Sequence, residues 1–338
     1  MPACLSEFRN RLSVAAIVPS QRTNRALACM APPRYSQHPN TSPATVPTQT
    51  EHSSSTLRLP SGQWLTVLDC LCSHFTAIPR EQWLDRMARG RVLDEHWQPI
   101  GPEHDYQVGL IIHYFREIEN EPPIPVVETV LYVDEHLLVA DKPHFLPVVP
   151  SGRFVRETLL WRLIERFGNP DLSPLHRIDR DTAGLVMFST TRSGRDGYHA
   201  LFRERRIEKH YEALAPVLPG IVFPCVRESR IVRGEPFFRS QEVPGASNAH
   251  TRINVISRRC AIENHWHYDL QPATGRTHQL RIHMSALGAP IANDRLYPTL
   301  LRDTEDDYDA PLKLLAKRLA FTDPHTGLHH TFTSQLTL

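Results

Sequence analysis

Residues 176–181 place five ionisable side chains in six consecutive positions, and the apolar run Leu185–Phe188 begins four residues later. A short apolar run of this kind predicts a strand that is buried on both faces of a sheet. A loop entering such a strand needs one capping carboxylate at most, so folding alone does not account for this density of charge. Active sites often lie on loops held by rigid strands, which makes these residues a candidate site. An exposed turn held by local salt bridges is the structural alternative.

A second polar cluster, residues 209–213, begins a predicted strand, and a third occupies residues 274–283. The helix predicted over 277–287 places Arg281 one turn from its positive end, where the helix dipole disfavours a cation. An arginine there is better used as the partner of an anion, either a carboxylate or a phosphate. Tyr211 in the second cluster is by itself more typical of core packing.

The pattern of apolar residues predicts an α+β fold in which strands predominate. Strands do not alternate regularly with helices, which favours a mainly antiparallel sheet. In the large C-terminal part of the chain, the pattern predicts helices over 158–167, 198–206 and 277–287, and strands over 130–132, 137–140, 185–188, 209–214, 249–256, 266–270 and 319–321.

Composition divides the chain into four segments. Residues 1–56 are rich in Ser, Thr, Pro, Gln and Asn and predict a disordered leader. Residues 57–118 predict a small α+β module of two helices and a hairpin, and the acidic, proline-rich segment 119–126 predicts a linker. Residues 127–338 predict one large domain.

Residues 1–50 of the leader carry five arginines and one acidic residue, a composition shared with organellar transit peptides. A translation start placed too far upstream, with Met30 as the true start, is the other interpretation. We favour a dispensable leader and therefore a cytoplasmic protein. No apolar run approaches the roughly 18 residues needed to cross a bilayer, so we expect no membrane association.

The formal net charge of +1 conceals a polarised distribution. Residues 94–141 carry 11 acidic side chains against one arginine, whereas residues 226–302 carry 11 arginines against six acidic side chains. A second acidic run occupies residues 303–309. We therefore expect attraction for phosphate on one face of the molecule rather than over its whole surface.

The six cysteines provide one close pair, Cys70 and Cys72, without a second pair at zinc-finger spacing. His278 and His283 are five residues apart, which is poor spacing for two ligands on one helix. We therefore expect free thiols, as in a reducing compartment, and no metal.

The sequence resembles the RluA family of RNA pseudouridine synthases. Residues 176–185 are similar to the family signature HRLDRxTSGL, and residues 276–297 to its late motif, which begins RTHQIRVH. Residues 132–143 match its opening pair of strands, and residues 209–213 its tyrosine motif. The sequence departs from these motifs at a few loop positions: Ala183 for the usual Ser, His144 and Phe145 where Gly often follows Lys-Pro, and Asn293 and Pro298 for glycines.

This resemblance implies a pseudouridine-synthase-like catalytic domain over 127–338, with a mainly antiparallel mixed sheet flanked by helices. It implies an enzyme without a cofactor that isomerises a specific uridine of rRNA or tRNA to pseudouridine. We expect RNA rather than DNA as its partner, and a monomer. The module would be a degenerate RNA-binding module of the ribosomal-protein type, and a packing module without RNA contact is the alternative. Its basic helix would present Arg80, Arg86, Arg89 and Arg91.

The resemblance also implies a role for each motif residue. Asp179 would be the catalytic carboxylate, acting on the ribose at C1′ or C2′, and Arg281 would pair with it and stabilise its charged form. Tyr211 would stack on the flipped base and take part in proton transfer. Arg177 would fill the gap left in the RNA stack, and Leu280 would line the pocket. The other substrate-binding residues would be His176, Arg276, His278 and Lys209.

Two other functions fit part of the pattern. Asp179 and Asp181 together would suit hydrolysis of a glycosidic bond, which uses paired carboxylates. The arginines around them favour a phosphate-bearing substrate instead. A non-catalytic RNA-binding protein on the same fold is the other alternative, against which the intact Asp179, Tyr211 and Arg281 count.

Overall fold

The computed structural model describes residues 54–117, 121–301 and 305–338. The predicted leader lies outside the described residues except for its last three positions. Those three residues are extended and begin a strand, so regular structure starts three residues before the predicted module boundary.

The small module consists of a three-stranded antiparallel sheet and two helices. Trp83 is fully buried between the helices and the sheet, together with Leu71 and Ile112. Thr66 caps the first helix by accepting a hydrogen bond from the Asp69 backbone N–H at 3.2 Å. The elements are β1 (Ser54–Arg58), α1 (Val67–His74), α2 (Arg80–Ala88), β2 (Val92–Leu93) and β3 (Ile111–Phe115), with the strand order β1-β3-β2.

The apolar run at 108–112 predicts a strand of the module's hairpin, but β3 lies three residues later. Gly109 has φ +84°, which places a turn where the strand was expected to begin. Cys70 and Cys72 lie on α1 as free thiols, and Cys225 and Cys260 are free as well. No helix in the described part of the chain is both long and apolar enough to cross a membrane.

The segment 121–126 forms no helix or strand, but it is held along the large domain rather than extended from it. The Glu121 carboxylate accepts hydrogen bonds of 2.6–2.8 Å from the backbone N–H groups of Val155, Arg156 and Glu157. Ile124 is buried in the same core as Phe154. A segment with these contacts cannot act as a free spacer.

The large domain has one mixed sheet of eleven strands among the described residues. The sheet is mainly antiparallel, as predicted. Its elements are β4 (Thr129–Val133), β5 (Leu137–Lys142), α3 (Leu159–Phe167), β6 (Ser173–Pro174), β7 (Ala183–Ser189), α4 (Arg195–Arg203), β8 (Glu208–Pro216), β9 (Cys225–Arg233), β10 (Ser240–Val243), β11 (Ala249–Ser257), β12 (His265–Pro272), α5 (Gln279–Ala286), β13 (Leu314–Thr322) and β14 (His329–Thr333).

The main path of the sheet runs β10-β9-β11-β12-β8-β13-β7-β5-β4, with β14 beside β13 and β6 beside β7. Strands β5 and β7 are buried on both faces, as the apolar run predicted. Leu138 and Phe188 pack against α3 on one face, whereas Leu137 and Met187 pack against α4 on the other. Helix α5 packs against β8 and β12. The loop that precedes β7 is therefore fixed at a rigid, covered part of the sheet.

Two helices differ from the prediction for local reasons. Helix α4 begins and ends three residues earlier than predicted. It cannot extend to residue 206, because Arg205 has φ +56°. Helix α5 begins at Gln279 rather than Thr277, because His278 at its N-cap has φ +58°. The sequence reasoning missed β6, β9, β10 and β14.

Gly184 lies at the start of β7, where that strand pairs in parallel with β13. Its φ is +111°, and a Cβ atom there would come within 2.3 Å of the Ala316 carbonyl oxygen. Only glycine therefore lets the end of the charged loop approach β13 so closely.

We predict that Gly184→Ala lowers the free energy of unfolding by about 3 kcal/mol, because an overpacked contact adds to an unfavourable φ. Urea denaturation followed by circular dichroism measures this change. Gly220→Ala is the matched control, because a Cβ at Gly220 meets no atom within 4 Å. Equal unfolding midpoints for the two variants would contradict this account of Gly184.

Candidate functional site

The charged loop, residues 175–182, runs from β6 into β7 and is tied to the neighbouring strand β5 by Lys142. The Lys142 ammonium is completely buried and donates hydrogen bonds to the carbonyl oxygens of Pro143 at 2.8 Å and Arg180 at 3.0 Å. Burial lowers the pKa of Lys142 to about 7. His144 holds the same loop through a 2.6 Å hydrogen bond between its Nδ1 and the Asp181 carbonyl oxygen.

Arg281, in the first turn of α5, is 1% exposed and forms a bidentate ion pair with Asp294. Its Nε and Nη2 donate to the two carboxylate oxygens of Asp294 at 2.8 and 2.6 Å. Burial by itself would lower the pKa of Arg281, but the hydrogen bonds and charge of Asp294 raise it above its usual value. Asp294 is fixed in turn by the backbone N–H groups of Leu296 and Tyr297.

The remaining edge of the guanidinium faces the charged loop. Nη1 of Arg281 lies 3.6 Å from Oδ2 of Asp179, and Nη2 lies 4.0 Å from Oδ2 of Asp181. These are ion-pair distances rather than short hydrogen bonds. Asp179 therefore keeps its oxygens available, with its side chain 27% exposed, beside a cation that cannot move away.

Arg180 binds the acidic segment that follows residue 304. Its guanidinium contacts both carboxylate oxygens of Asp306 and lies 3.2 Å from Oδ1 of Asp181. It also lies over the rings of Phe145 and Phe154, with its carbon 5.8 and 5.2 Å from their centroids. Part of the acidic run at 303–309 therefore neutralises an arginine of the charged loop itself.

His278 links Asp179 to the loop that carries Tyr297. Nε2 of His278 is 3.9 Å from Oδ1 of Asp179, and its Nδ1 is 2.9 Å from the Tyr297 hydroxyl. The Tyr297 hydroxyl also donates to the Ser240 carbonyl oxygen and accepts from the Ser240 N–H. Because the single Tyr297 proton goes to Ser240, Nδ1 of His278 is the donor in their contact. Burial lowers the pKa of His278, which favours the neutral ring.

Tyr211 and Leu280 form the apolar side of the site. Tyr211 lies on β8 and packs against the same core as Leu280. Burial and the negative charge of Asp179 raise the pKa of the Tyr211 hydroxyl far above neutrality. The Tyr211 hydroxyl therefore keeps its proton and does not act as a base.

His176 and Lys209 are half-buried in the same region. Nε2 of His176 accepts a hydrogen bond of 3.1 Å from the Met187 backbone N–H, so this nitrogen is unprotonated. Burial lowers the pKa of His176 to about 3, so the ring is neutral and fixes the loop to β7. Lys209 donates to the Thr274 carbonyl oxygen at 3.2 Å, and burial lowers its pKa to about 8.

All nine predicted site residues line one cavity of about 670 Å³. They come from the charged loop, from β8 and from α5 with the loop before it: His176, Arg177, Asp179, Lys209, Tyr211, Arg276, His278, Leu280 and Arg281. Arg177 and Arg276 are exposed at its edge. A second cavity, of about 640 Å³, shares Arg177, Asp179 and Arg281 with the first.

Two loop positions that lack the family's glycine still adopt the left-handed backbone conformation. Phe145 has φ +66° and Asn293 has φ +63°. Asparagine tolerates this conformation, whereas phenylalanine adopts it at a cost of about 1–3 kcal/mol. Phe145 is 4% exposed and contacts Tyr308 and Arg180, and this packing offsets the strain.

Three residues of the site were missed as functional by the sequence reasoning. Asp294 was noted only as part of a motif, Lys142 only as part of the opening strand pair, and Asp306 only as part of an acidic run. Each acts on a residue of another structural element, 13 to 126 positions away in sequence, so periodicity and local composition carry no signal for it. In the described part of the chain, no group of three or more His, Cys, Asp or Glu side chains is arranged to hold a metal ion.

The sequence of this chain is similar to those of known RNA pseudouridine synthases. The family model described as RNA pseudouridylate synthase matches residues 136–286. The dual-specificity RNA pseudouridine synthase RluA of Haemophilus influenzae is 33% identical over 229 residues, which cover 64% of this chain and 97% of that protein. The mitochondrial tRNA pseudouridine(32) synthase of Saccharomyces cerevisiae is 31% identical over 204 residues, which cover 56% of this chain and 40% of that protein.

Among solved structures, the human RNA pseudouridylate synthase domain containing 1 is similar, with a TM-score of 0.50 and 24% identity. The match covers 64% of this chain and 86% of that one. Fold and sequence together define a pseudouridine synthase domain. The chain belongs to the RluA family of RNA pseudouridine synthases, isomerases that convert uridine to pseudouridine within RNA.

The pKa of Lys209 generates a pH prediction. Its ammonium is charged below about pH 8 and neutral above it, so any attraction of this side chain for RNA phosphate is lost as the pH rises through this value. We predict that KM for RNA rises about tenfold across this range, the scale of one charge-assisted hydrogen bond. Steady-state kinetics at a series of pH values measures it.

Lys209→Arg is the matched control for this experiment. Arginine stays charged throughout the range, so the rise in KM should be absent from this variant. An identical rise in the variant would assign the pH dependence to another group.

Proposed function

We propose that Asp179 is the catalytic carboxylate of this isomerase and acts on the target ribose at C1′ or C2′. The observation that carries this proposal is that Arg281 binds Asp294 tightly and only approaches Asp179. Its bidentate bond is made to Asp294, which leaves Asp179 within 3.6 Å of positive charge but with oxygens open to the cavity. A carboxylate in this setting is oriented and accessible.

The reaction requires that the bond between C1′ and N1 of uridine breaks and that a bond between C1′ and C5 forms. N1 gains a proton and C5 loses one, so the overall change is an isomerisation. A carboxylate beside the ribose stabilises positive charge on the sugar or removes a proton from it. The ring of Tyr211, whose hydroxyl keeps its proton, stacks on the detached base while the base rotates. Leu280 bounds the apolar side of the cavity in which the base turns.

Uridine must leave the RNA stack to reach this cavity, because C1′ and C5 are not both accessible in a stacked helix. Arg177 is exposed at the edge, and among the described residues it forms no hydrogen bond or ion pair. Such a free cationic side chain is suited to occupy the gap that the flipped uridine leaves. Arg276 and Lys209 bind the flanking phosphates, and neither of them forms an ion pair within the described part of the chain.

The arginines of the small module are bound differently. Arg80 pairs with Asp69 at 2.8 Å, and Arg89 contacts both Asp85 and Glu117. Arg91 also pairs with Glu117, at 3.1 Å, and Arg86 is buried. These contacts favour the interpretation of residues 57–118 as a packing module, so RNA binding is assigned to the catalytic domain over 127–338.

The substrate that we propose is structured rRNA or tRNA, bound by a monomeric cytoplasmic enzyme that does not act on DNA. The name of the yeast relative specifies a tRNA uridine, and that of the Haemophilus relative specifies dual specificity. Unpaired loop nucleotides are the usual targets of sequence-specific RNA recognition, and they are the ones most easily flipped into a cavity.

We predict that Asp179→Asn abolishes pseudouridine formation, with a loss of about 10⁴-fold or more, and leaves RNA binding nearly unchanged. Pseudouridines are mapped in rRNA and tRNA from cells that carry the wild-type enzyme, no enzyme, or the variant. In vitro, RNA labelled with tritium at C5 of uridine releases the label as the new bond forms. Sites absent without the enzyme should stay absent with the variant.

Asp181→Asn is the matched control, since Asp181 also borders Arg281 but is bound to Arg180. This variant should keep most of the activity. Equal loss in both variants, together with release of free uracil by the wild type, would support glycosidic hydrolysis by paired carboxylates. Turnover by a folded Asp179→Asn enzyme would contradict the assigned role.

A further inference from the structure

A hairpin outside the family motifs borders the second cavity and carries two adjacent exposed aromatic rings. Phe237 and Phe238 lie at the tip of the β9–β10 hairpin and are 67% and 46% exposed. Their ring centroids are 5.6 Å apart in an edge-to-face arrangement. Large apolar rings in contact with water at a hairpin tip do not stabilise the fold, so a binding role is the better explanation.

The hairpin tip is ordered by its own contacts. Gly234 donates to the Arg239 carbonyl oxygen at 2.9 Å, which closes the turn. Nε of Arg233 donates to the Phe237 carbonyl oxygen at 3.0 Å, and its guanidinium carbon lies 5.3 Å from the centre of the Phe237 ring. The rings are therefore presented on a fixed backbone, which lowers the entropic cost of binding.

A chain of hydrogen bonds connects this hairpin to His278, which lies beside the proposed catalytic carboxylate. Ser240, the first residue of β10, exchanges two hydrogen bonds with the Tyr297 hydroxyl. Tyr297 contacts His278, whose Nε2 lies 3.9 Å from Asp179. The distance between the aromatic tip and the site of reaction is therefore set by the fold.

The second cavity shares lining residues with the catalytic one and has the charge of an RNA-binding surface. Besides Phe237 and Phe238, it is lined by Arg177, Arg233, Arg239 and Arg276. In the part of the chain that the structure describes, none of these four arginines forms an ion pair with a carboxylate. Cationic side chains next to exposed rings are the combination that holds single-stranded nucleic acid.

We propose that Phe237 and Phe238 form a stacking platform for an unpaired nucleotide adjacent to the target uridine. The arginines of the second cavity bind the phosphates of that nucleotide while the uridine occupies the catalytic cavity. The proposal rests on RNA as the substrate and assigns the hairpin a role in choosing which uridine is modified. Because every base has a π-face, the platform selects unpaired flanking nucleotides by stacking rather than by base-edge hydrogen bonds.

The test compares Phe237→Ala/Phe238→Ala with the wild type on total RNA from cells that lack the enzyme, labelled with tritium at C5 of uridine. The apparent KM should rise about tenfold, the scale of one lost base–aromatic stack, and kcat should not change. Phe237→Tyr/Phe238→Tyr retains both rings and should behave like the wild type. Phe167→Ala removes an exposed ring that lines neither cavity, and it should have no effect.

A second experiment tests directly whether a nucleotide next to the target uridine stacks on the two rings. It uses an RNA oligonucleotide that contains a mapped target uridine. An abasic site is introduced next to that uridine, on its 5′ side in one oligonucleotide and on its 3′ side in another. On one of the two sides, the abasic site should raise KM for the wild type. It should cause no further rise in KM for the double alanine variant, because both changes remove the same stack.

The outcomes distinguish failure of the proposed catalytic function from failure of the stacking platform. If the wild type releases no tritium, the proposed catalytic function fails. If the wild type is active and the double alanine variant has the same KM, the stacking platform fails and the catalytic function stands. A loss in kcat alone, a loss in the tyrosine variant, or additive effects of the abasic site and the alanines would also overturn the platform.

Discussion

The buried ion pair between Arg281 and Asp294 is the interaction on which the arrangement of the site depends. Arg281 enters the structure in the first turn of α5, where the helix dipole disfavours a cation, and it is almost completely buried. Such a position is tolerable only because Asp294 binds two of its nitrogens. The third nitrogen thereby faces Asp179. The guanidinium that is neutralised by Asp294 in the folded protein also lies beside the proposed catalytic carboxylate.

Asp179, the proposed catalytic carboxylate, has neighbours on several sides, none of which binds it tightly. Lys142 fixes the backbone of the charged loop, and Asp306 binds Arg180. Arg281 and His278 approach Asp179 itself at 3.6 and 3.9 Å. A catalytic carboxylate needs a fixed position and unoccupied oxygens, and strong bonds to its neighbours rather than to itself provide both.

Sequence reasoning identified residues that line one cavity of the fold because their signals are local. The doubly buried β7 follows from the apolar run at 185–188, and the charged loop before it stands out in composition. Strands β9 and β10 were missed because most of their side chains are polar, as in β9 with its three arginines, and show no apolar alternation. Asp294 was left without a role because its partner is a helix residue that only the fold brings close. The onset of α5 was misplaced because nothing in the sequence marks the left-handed backbone of His278.

The central claim is that Asp294 holds Arg281 in the position that orients Asp179. The most direct measurement is the single-turnover rate of Asp294→Asn with saturating RNA, beside the Kd for the same RNA. The account predicts a rate lower by about 10²-fold, the scale of a small misplacement, with an unchanged Kd. Arg281→Lys, which keeps the charge without the bidentate fork, should show the same pattern and replaces the first variant if that one does not fold. A folded variant that turns over at the wild-type rate would contradict the account.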